Sequence, residues 1–190
     1  YAFTEELTAE SMLTAARTAA SIARGRAGTL PDAWKIAGHK NYYPIETAWE
    51  TLAIDRKIPL LERINQEVFS RDSRVVKTSV TFTDETTRIL VVNSDGGAVE
   101  DYQPNSYLGA SVTAEQNGRR ETNGYNVAGR RDLGSYTAQV VDDLARTSVE
   151  RTVALFEAVQ PPAGEMPVVL AAGEAGILLH EAIGHGMEAD

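Results

Sequence analysis

The sequence predicts an α+β fold: an antiparallel β-meander with packed helices, followed by a strand that leads into a final helix. Three observations predict it. Apolar residues recur at three- and four-residue steps in residues 9–24, 58–70 and 137–159, which is typical of amphipathic helices. From Val75 apolar and polar residues alternate instead, which is typical of strands. Asn117-Gly118, between two such segments, is a strong signal for a two-residue hairpin.

Two helices are predicted in the first seventy residues. Thr8 can cap the first, over residues 9–24, and Gly25 can end it. The second covers residues 58–70, with Asp55 as its cap and Pro59 in the first turn. The first helix has an apolar face of mostly small residues, which should pack close to a neighbour: Met12, Ala15, Ala16, Ala19 and Ile22. The second has a face of larger ones: Leu60, Leu61, Ile64 and Val68.

The segment between these helices, residues 26–49, is predicted to be a long connection. It contains Pro31, Gly38 and Pro44, which interrupt regular structure. Its aromatic residues should hold it on the body of the protein: Trp34, Tyr42, Tyr43 and Trp49. His39 in this connection is more typical of an exposed loop residue than of a functional site.

The alternating region predicts a meander of about five strands. Turns are expected at residues 84–85 and 94–97 and at the hairpin. The five strands are residues 75–83, 87–93, 98–102, 107–116 and 119–126. A long helix over residues 137–159 should follow and end at Pro161-Pro162. Residues 166–171 read as a buried strand that feeds the last helix.

Composition excludes several classes of function. The net charge is −9 and the isoelectric point about 4.9, which argues against a nucleic-acid partner. The basic cluster of Arg119, Arg120, Arg130 and Arg131 is more typical of a solvated hairpin rim. There is no Cys, which excludes disulfides in this chain and is compatible with a reducing compartment. No apolar run approaches the roughly 18 residues of a membrane helix.

His180, Glu181 and His185 are the candidate functional residues. The chain has only 3 histidines, and two of them lie here with a glutamate after the first. Such a group is similar to the zinc motif H-E-x-x-H, in which two imidazoles share one helix face and the glutamate activates water. An ordinary helix end with two incidental histidines remains the alternative interpretation.

The spacing between the two histidines is one residue longer than in that motif. At about 100° per residue, side chains five apart diverge by about 140° around an α-helix. One extra residue in the turn, as in a π-bulge, would realign them. We therefore expect the helix to be wide or broken near Gly184, the residue that should ease this distortion.

The C-terminal segment resembles the TldD/PmbA family of metalloproteases. Residues 161–173 and 176–190 carry P-A-G-x-M-P-V-V-L followed by L-L-H-E-A-x-G-H-G, the pattern of the TldD branch. The PmbA branch lacks the histidine pair. More loosely, residues 8–24 are similar to the family's Ala-rich helix and residues 117–121 to its charged hairpin.

This resemblance implies a zinc ion held by His180 and His185, with Glu181 as general base in peptide hydrolysis. It also implies a third ligand, a Cys far downstream, which this chain does not contain. Glu188 or Asp190 could supply an oxygen ligand, although solvated acids are the more usual interpretation. On this basis the chain is expected to be inactive alone and to be an internal segment. Residues 1–160 would be an N-terminal α+β domain without its first part, and residues 161–190 the start of the metalloprotease domain.

Partners and location follow from the resemblance only. It implies a cytoplasmic protease of unfolded or leader peptides, as a homodimer or a heterodimer with a PmbA/TldE-like paralogue. Neither nucleic acid nor a membrane is expected as a partner, and a signal peptide cannot be judged from this segment. The alternative function is a non-catalytic partner or modulator subunit that binds peptide or protein without hydrolysis.

Overall fold

The structure, a computed structural model, describes residues 1–23, 33, 35–38, 41–173 and 175–188. These residues divide into two compact units, 1–156 and 157–190. The α+β class is confirmed, with a four-stranded sheet and four α-helices in the described parts. Several predicted features lie outside the described residues: the stop at Gly25, Pro31, Trp34, His39 and the candidate ligand Asp190.

The first unit is built on an antiparallel meander of three long strands. β2 (Val75–Val92), β3 (Gly97–Gln116) and β4 (Arg119–Gly129) follow one another in the chain, with β3 between its two neighbours. The two-residue strand β1 (Lys35–Ile36) pairs in parallel with the start of β3.

The tight turn between β3 and β4 is the hairpin that the Asn-Gly pair predicts. Asn117 has φ 54° and Gly118 φ 78°, so both residues adopt the left-handed conformation that a type I′ turn requires. Arg119 follows directly, and its side chain bonds Glu121 and the carbonyl of Leu155. The prediction for this turn is confirmed.

The expected count of five strands is wrong, because two predicted interruptions are absent. Asp84 and Glu85 do not turn; they pair with Ser106 and Asn105 inside a continuous β2. A long strand alongside supplies hydrogen bonds through this position, and Lys57 forms an ion pair with the Asp84 carboxylate. The turn-forming preference of the local residues is thus overridden by the ladder with β3.

The predicted break between residues 102 and 107 is also absent, and β3 runs on through Pro104. Proline is tolerated here because its missing N–H would face an edge of β3 that has no paired strand among the described residues. The Ala98 carbonyl accepts from Ala37 of the connection, so even-numbered residues of β3 point their backbone groups toward the edge shared by β1 and β4. In the described residues β1 reaches only as far as Ala98 and β4 begins to pair at Ser106. Pro104 lies between them, where no ladder bond is lost.

Two helices cover one face of this sheet and form the core with it. α2 (Ile58–Arg71) packs on β2, and α3 (Ala138–Ala154) packs on β3, β4 and α2. The predicted apolar face of α2 is confirmed, with Ile64 and Val68 fully buried. The core of the unit contains these residues: Trp49, Ile64, Val68, Val75, Leu108, Ala110, Val112, Tyr136, Val141, Leu144, Ala145 and Val149.

The helix ends differ in part from the sequence prediction. Thr137 caps α3 by accepting from the Val140 N–H, and α3 stops at Ala154, before a short 3₁₀ turn. Asp55 does not cap α2, because it lies inside a separate 3₁₀ turn and Lys57 takes the N-cap position. The sequence therefore predicts the residue at which α2 begins but not the residue that caps it.

The first helix, α1 (Ala9–Ile22), begins as predicted. Thr8 caps it by accepting from the Ser11 N–H at 3.2 Å. Its small-residue face was expected to pack, but α1 contains no buried residue, and Met12 is 49% exposed. None of the helices in the described part of the chain has the length and apolarity needed to cross a bilayer.

The aromatic residues expected to hold the connection before α2 do so only in part: Trp49 is buried in the core, whereas Tyr42 and Tyr43 are 71% and 50% exposed. Trp49 is 2% exposed, and its indole N–H donates to the Arg131 carbonyl at 3.0 Å. Asp132 next to Arg131 accepts from the Ser135 hydroxyl and from the Glu46 backbone N–H. These two bonds, the first being the stronger cause, lower the pKa of the Asp132 carboxyl below its usual value of 3.8.

The second unit lacks the strand predicted for residues 166–171. These residues have no regular structure, and their side chains are exposed, with Val169 at 94%. A strand needs a neighbour to take up its backbone hydrogen bonds. The described residues of this unit provide no second strand, so the apolar run alone does not form one. Gly173 then leads into α4 (Ala175–Leu179) with φ 118°.

Candidate metal centre

The helix that carries the histidine pair changes its winding along its length. After α4, residues His180–Gly184 form a π-helical turn, and His185–Met187 a 3₁₀ turn. The His185 N–H donates to the carbonyl of His180, five residues earlier. The wide turn predicted from the histidine spacing is therefore confirmed.

Gly184 contributes to this turn in a different way from that expected. Its φ of −57° and ψ of −51° are ordinary right-handed helical values, so the turn does not use the conformational freedom of glycine. A Cβ at this position would lie 3.5 Å from Nδ1 of His180, an ordinary contact distance. An alanine would fit at this position, so the wide turn does not depend on Gly184 as expected.

The π turn brings the two imidazoles to the same side of the helix. Their ring centroids are 4.5 Å apart and their planes meet at 72°. His180, Glu181 and His185 each offer one ligand atom, and these atoms all lie within 4.8 Å of one another. All three candidate residues from the sequence are therefore brought together.

The chemistry of this group fits a transition metal such as zinc. Zinc in proteins is bound by imidazole nitrogens and carboxylate oxygens, and bonds of about 2.0–2.1 Å in a tetrahedron separate ligand atoms by about 3.4 Å. Small side-chain rotations would close the difference from 4.8 Å. The side chains of His185 and Glu181 are 51% and 63% exposed, so an ion and water can reach them.

The two nitrogens of His185 face different carboxylates. Nδ1 lies 2.8 Å from Oε1 of Glu188, and Nε2 lies 3.6 Å from Oε2 of Glu181. Sequence reasoning considered Glu188 as an oxygen ligand and missed this contact. The i,i+3 spacing of an acid after a histidine predicts a contact only where the helix continues, and here the helix ends at Met187.

The basic cluster of the hairpin region is engaged in contacts of the first unit. Arg120 bonds Glu115 at 2.7 Å, and Arg130 lies 4.8 Å from the ring centroid of Tyr43. The Arg119 side chain bonds Glu121 and the Leu155 carbonyl, whereas Arg131 contributes only its backbone carbonyl, which accepts from Trp49. These contacts give the side chains of Arg119, Arg120 and Arg130 structural partners within the fold.

Two histidines on one side of a helix with a glutamate between them are typical of metallopeptidases. Comparison with known proteins narrows that class. The family model of the PmbA/TldA metallopeptidase central domain matches residues 48–156. The chain therefore belongs to the PmbA/TldD family, whose relatives are named as metalloproteases.

Two curated relatives match the whole chain. The metalloprotease TldD homolog of Haemophilus influenzae is 32% identical, over 100% of this chain and 41% of its own length. The Buchnera aphidicola homolog from the Acyrthosiphon pisum host is 29% identical over the same shares. The chain thus spans less than half the length of these relatives.

Solved structures support the fold. A Thermotoga maritima protein, named as a candidate modulator of a DNA gyrase, aligns with a TM-score of 0.57 at 16% identity. That alignment covers 80% of this chain and 34% of the other. A Bacteroides thetaiotaomicron protein with a similar name aligns with a TM-score of 0.56 at 16% identity, over 79% and 35% of the two chains.

Proposed function

We propose that this chain is part of a zinc-dependent peptidase of TldD type, in which His180 and His185 hold the metal and Glu181 is the general base. The observation that carries the proposal is the π turn, because it gathers two imidazoles and a carboxylate within 4.8 Å. Membership of a metallopeptidase family supports it.

The bound metal and Glu181 would carry out different parts of peptide hydrolysis. When bound, zinc acts as a Lewis acid that polarises a peptide carbonyl and acidifies water. Glu181 follows the first ligand directly, and its carboxylate is exposed to solvent. It takes a proton from the attacking water and passes it to the departing amine.

Among the described residues, the two histidines supply two of the protein ligands of a catalytic zinc. Such sites usually have three protein ligands and one open position. The third is expected from a Cys downstream in the full-length protein, so the chain alone should be inactive. Tests of the proposal therefore use the full-length protein.

The proposed substrates are unfolded or leader peptides, hydrolysed in the cytoplasm. The proposed assembly is a homodimer or a heterodimer with a PmbA/TldE-like paralogue. This part of the proposal rests on the resemblance of residues 161–190 to the TldD branch of the family. The net charge of −9 disfavours nucleic acid as a further partner.

The proposal is tested by separating metal binding from turnover. In the full-length protein, Glu181→Gln should keep about one zinc per chain and lose hydrolysis of a mixture of unstructured peptides. His180→Ala should lose both zinc and hydrolysis. Glu165→Gln, at an exposed glutamate of the same unit, should keep both and serves as the matched control. Parental turnover by Glu181→Gln would refute the role of Glu181.

A non-catalytic modulator or partner subunit is the second candidate. It is favoured by the small ligand set, because the described residues offer two histidines where a catalytic zinc usually has three protein ligands. It predicts that the full-length protein binds peptide or protein but cleaves none of it, with or without added zinc. Absence of zinc from both the parental protein and His180→Ala would favour this candidate.

A further inference from the structure

The geometry points to Glu188 as a positioning residue that orients His185 for the metal, an inference that rests on the proposed function. The 3₁₀ turn His185–Met187 ends the helix, and Glu188 has extended backbone angles, φ −68° and ψ 142°. This ending places its carboxylate beside the ring of the second histidine. The observation is the 2.8 Å contact between Nδ1 of His185 and Oε1 of Glu188.

This contact decides which nitrogen of His185 is available. A neutral imidazole carries one proton, and a carboxylate oxygen beside Nδ1 favours the tautomer with the proton on that nitrogen, because a lone pair there would be repelled. Nε2 then holds the free lone pair. Nε2 is also the nitrogen that faces Glu181, at 3.6 Å, and so belongs to the side on which the three candidate groups gather.

Glu188 is better suited to this role than to direct ligation. The ligand atoms that lie within 4.8 Å of one another belong to His180, Glu181 and His185, and the Glu188 carboxylate sits at the opposite nitrogen of the ring. Partners of this kind fix the orientation of a ligating histidine and raise its basicity, and their loss typically weakens metal binding about 10- to 100-fold.

The test measures zinc affinity by competition with a chelator on the full-length protein. Glu188→Ala should weaken zinc binding about 10- to 100-fold and still reach one zinc per chain at saturation. Glu188→Gln keeps an acceptor oxygen without the charge, and its zinc affinity should lie between those of Glu188→Ala and the parental protein. Glu165→Ala should bind zinc as the parental protein does.

A second readout needs no metal. In the metal-free protein, nitrogen chemical shifts report which ring nitrogen of His185 carries the proton. The parental protein should show the proton on Nδ1, and Glu188→Ala should shift the population toward Nε2–H.

The outcomes separate this inference from the proposed function. Zinc uptake by the parental protein with equal affinity in Glu188→Ala would overturn the positioning role alone. Unchanged nitrogen shifts in Glu188→Ala would overturn it as well. Complete loss of zinc at saturation would make Glu188 a ligand instead. A parental protein that takes up no zinc would overturn the proposed function and this inference with it.

Discussion

Replacing Trp49 by alanine should release the connection before α2 and destabilise the first unit. Trp49 is 2% exposed and its ring lies 5.4 Å from that of Phe82, centroid to centroid. The Lys57 ammonium lies 5.6 Å from the centroid of the Trp49 ring. The side chain thus joins the connection to α2 and β2 at one point in the core.

The expected magnitude follows from this burial. A buried aromatic side chain removes roughly 150–250 Å² from water, or about 4–6 kcal/mol at about 25 cal/mol per Å². That figure is an upper bound, because the unfolded chain already buries part of its surface. Large-to-small core substitutions of Trp cost about 3–5 kcal/mol, which is the loss in unfolding free energy that we expect.

Trp49→Phe separates the hydrogen bond from the packing. Phenylalanine keeps most of the ring but leaves the Arg131 carbonyl without the indole N–H that it accepts at 3.0 Å. We expect a loss of about 0.5–1.5 kcal/mol, the usual net contribution of a hydrogen bond, because Arg131 is exposed and water can replace the indole at its carbonyl.

Urea unfolding followed by far-UV circular dichroism measures these losses. With a slope of about 2 kcal/mol per molar urea, Trp49→Ala should lower the midpoint by about 1.5–2.5 M. Ile54→Ala, at a neighbouring side chain that is 70% exposed, is the control and should change stability by less than about 0.5 kcal/mol. An equally small change for Trp49→Ala would refute the view that Trp49 holds the connection on the core.

Two further predictions concern the same unit. Folding lowers the pKa of the Asp132 carboxyl below 3.8, its value in the unfolded chain. The ionised carboxylate therefore contributes its full stabilisation above pH 3.8, and this stabilisation is lost as the pH falls through the pKa of the folded state. Asp132→Asn should therefore reduce the thermal midpoint at pH 7, and its difference from the parental protein should shrink below pH 3.8; a constant difference would refute this. A Cβ on Gly124 would lie 2.4 Å from the Ala110 carbonyl oxygen, so Gly124→Ala should cost about 1–3 kcal/mol in urea unfolding. Asn126→Ala, at an exposed residue of the same strand, should cost little by comparison.

Features that depend on a few adjacent residues could be predicted from the sequence. Asn117-Gly118 specifies its own turn, because both residues tolerate positive φ. Thr8 and Thr137 specify helix starts through bonds that reach only three residues ahead. The spacing of His180 and His185 predicts a π turn, because no regular α-helix aligns two residues five apart.

Features that depend on partners far away in the chain could not be predicted from the sequence. Whether Asp84 turns or continues a strand depends on Ser106, its partner in β3, and whether Pro104 ends a strand depends on which edge its nitrogen faces. The apolar run at residues 166–171 predicts a strand only if a neighbour is present to pair with it. Glu188 was missed as a partner of His185 because its role depends on how the helix ends.

The π turn also bears on how such a site can change over evolution. A π turn is one residue inserted into an α-helix, so loss of a single codon between Glu181 and His185 would restore four-residue spacing, at which the two rings are about 40° apart. The longer and shorter histidine motifs can thus interconvert in one step, without an intermediate in which the ligands diverge. A search pattern that demands four-residue spacing would pass over chains like this one, although the side chains meet in the same way.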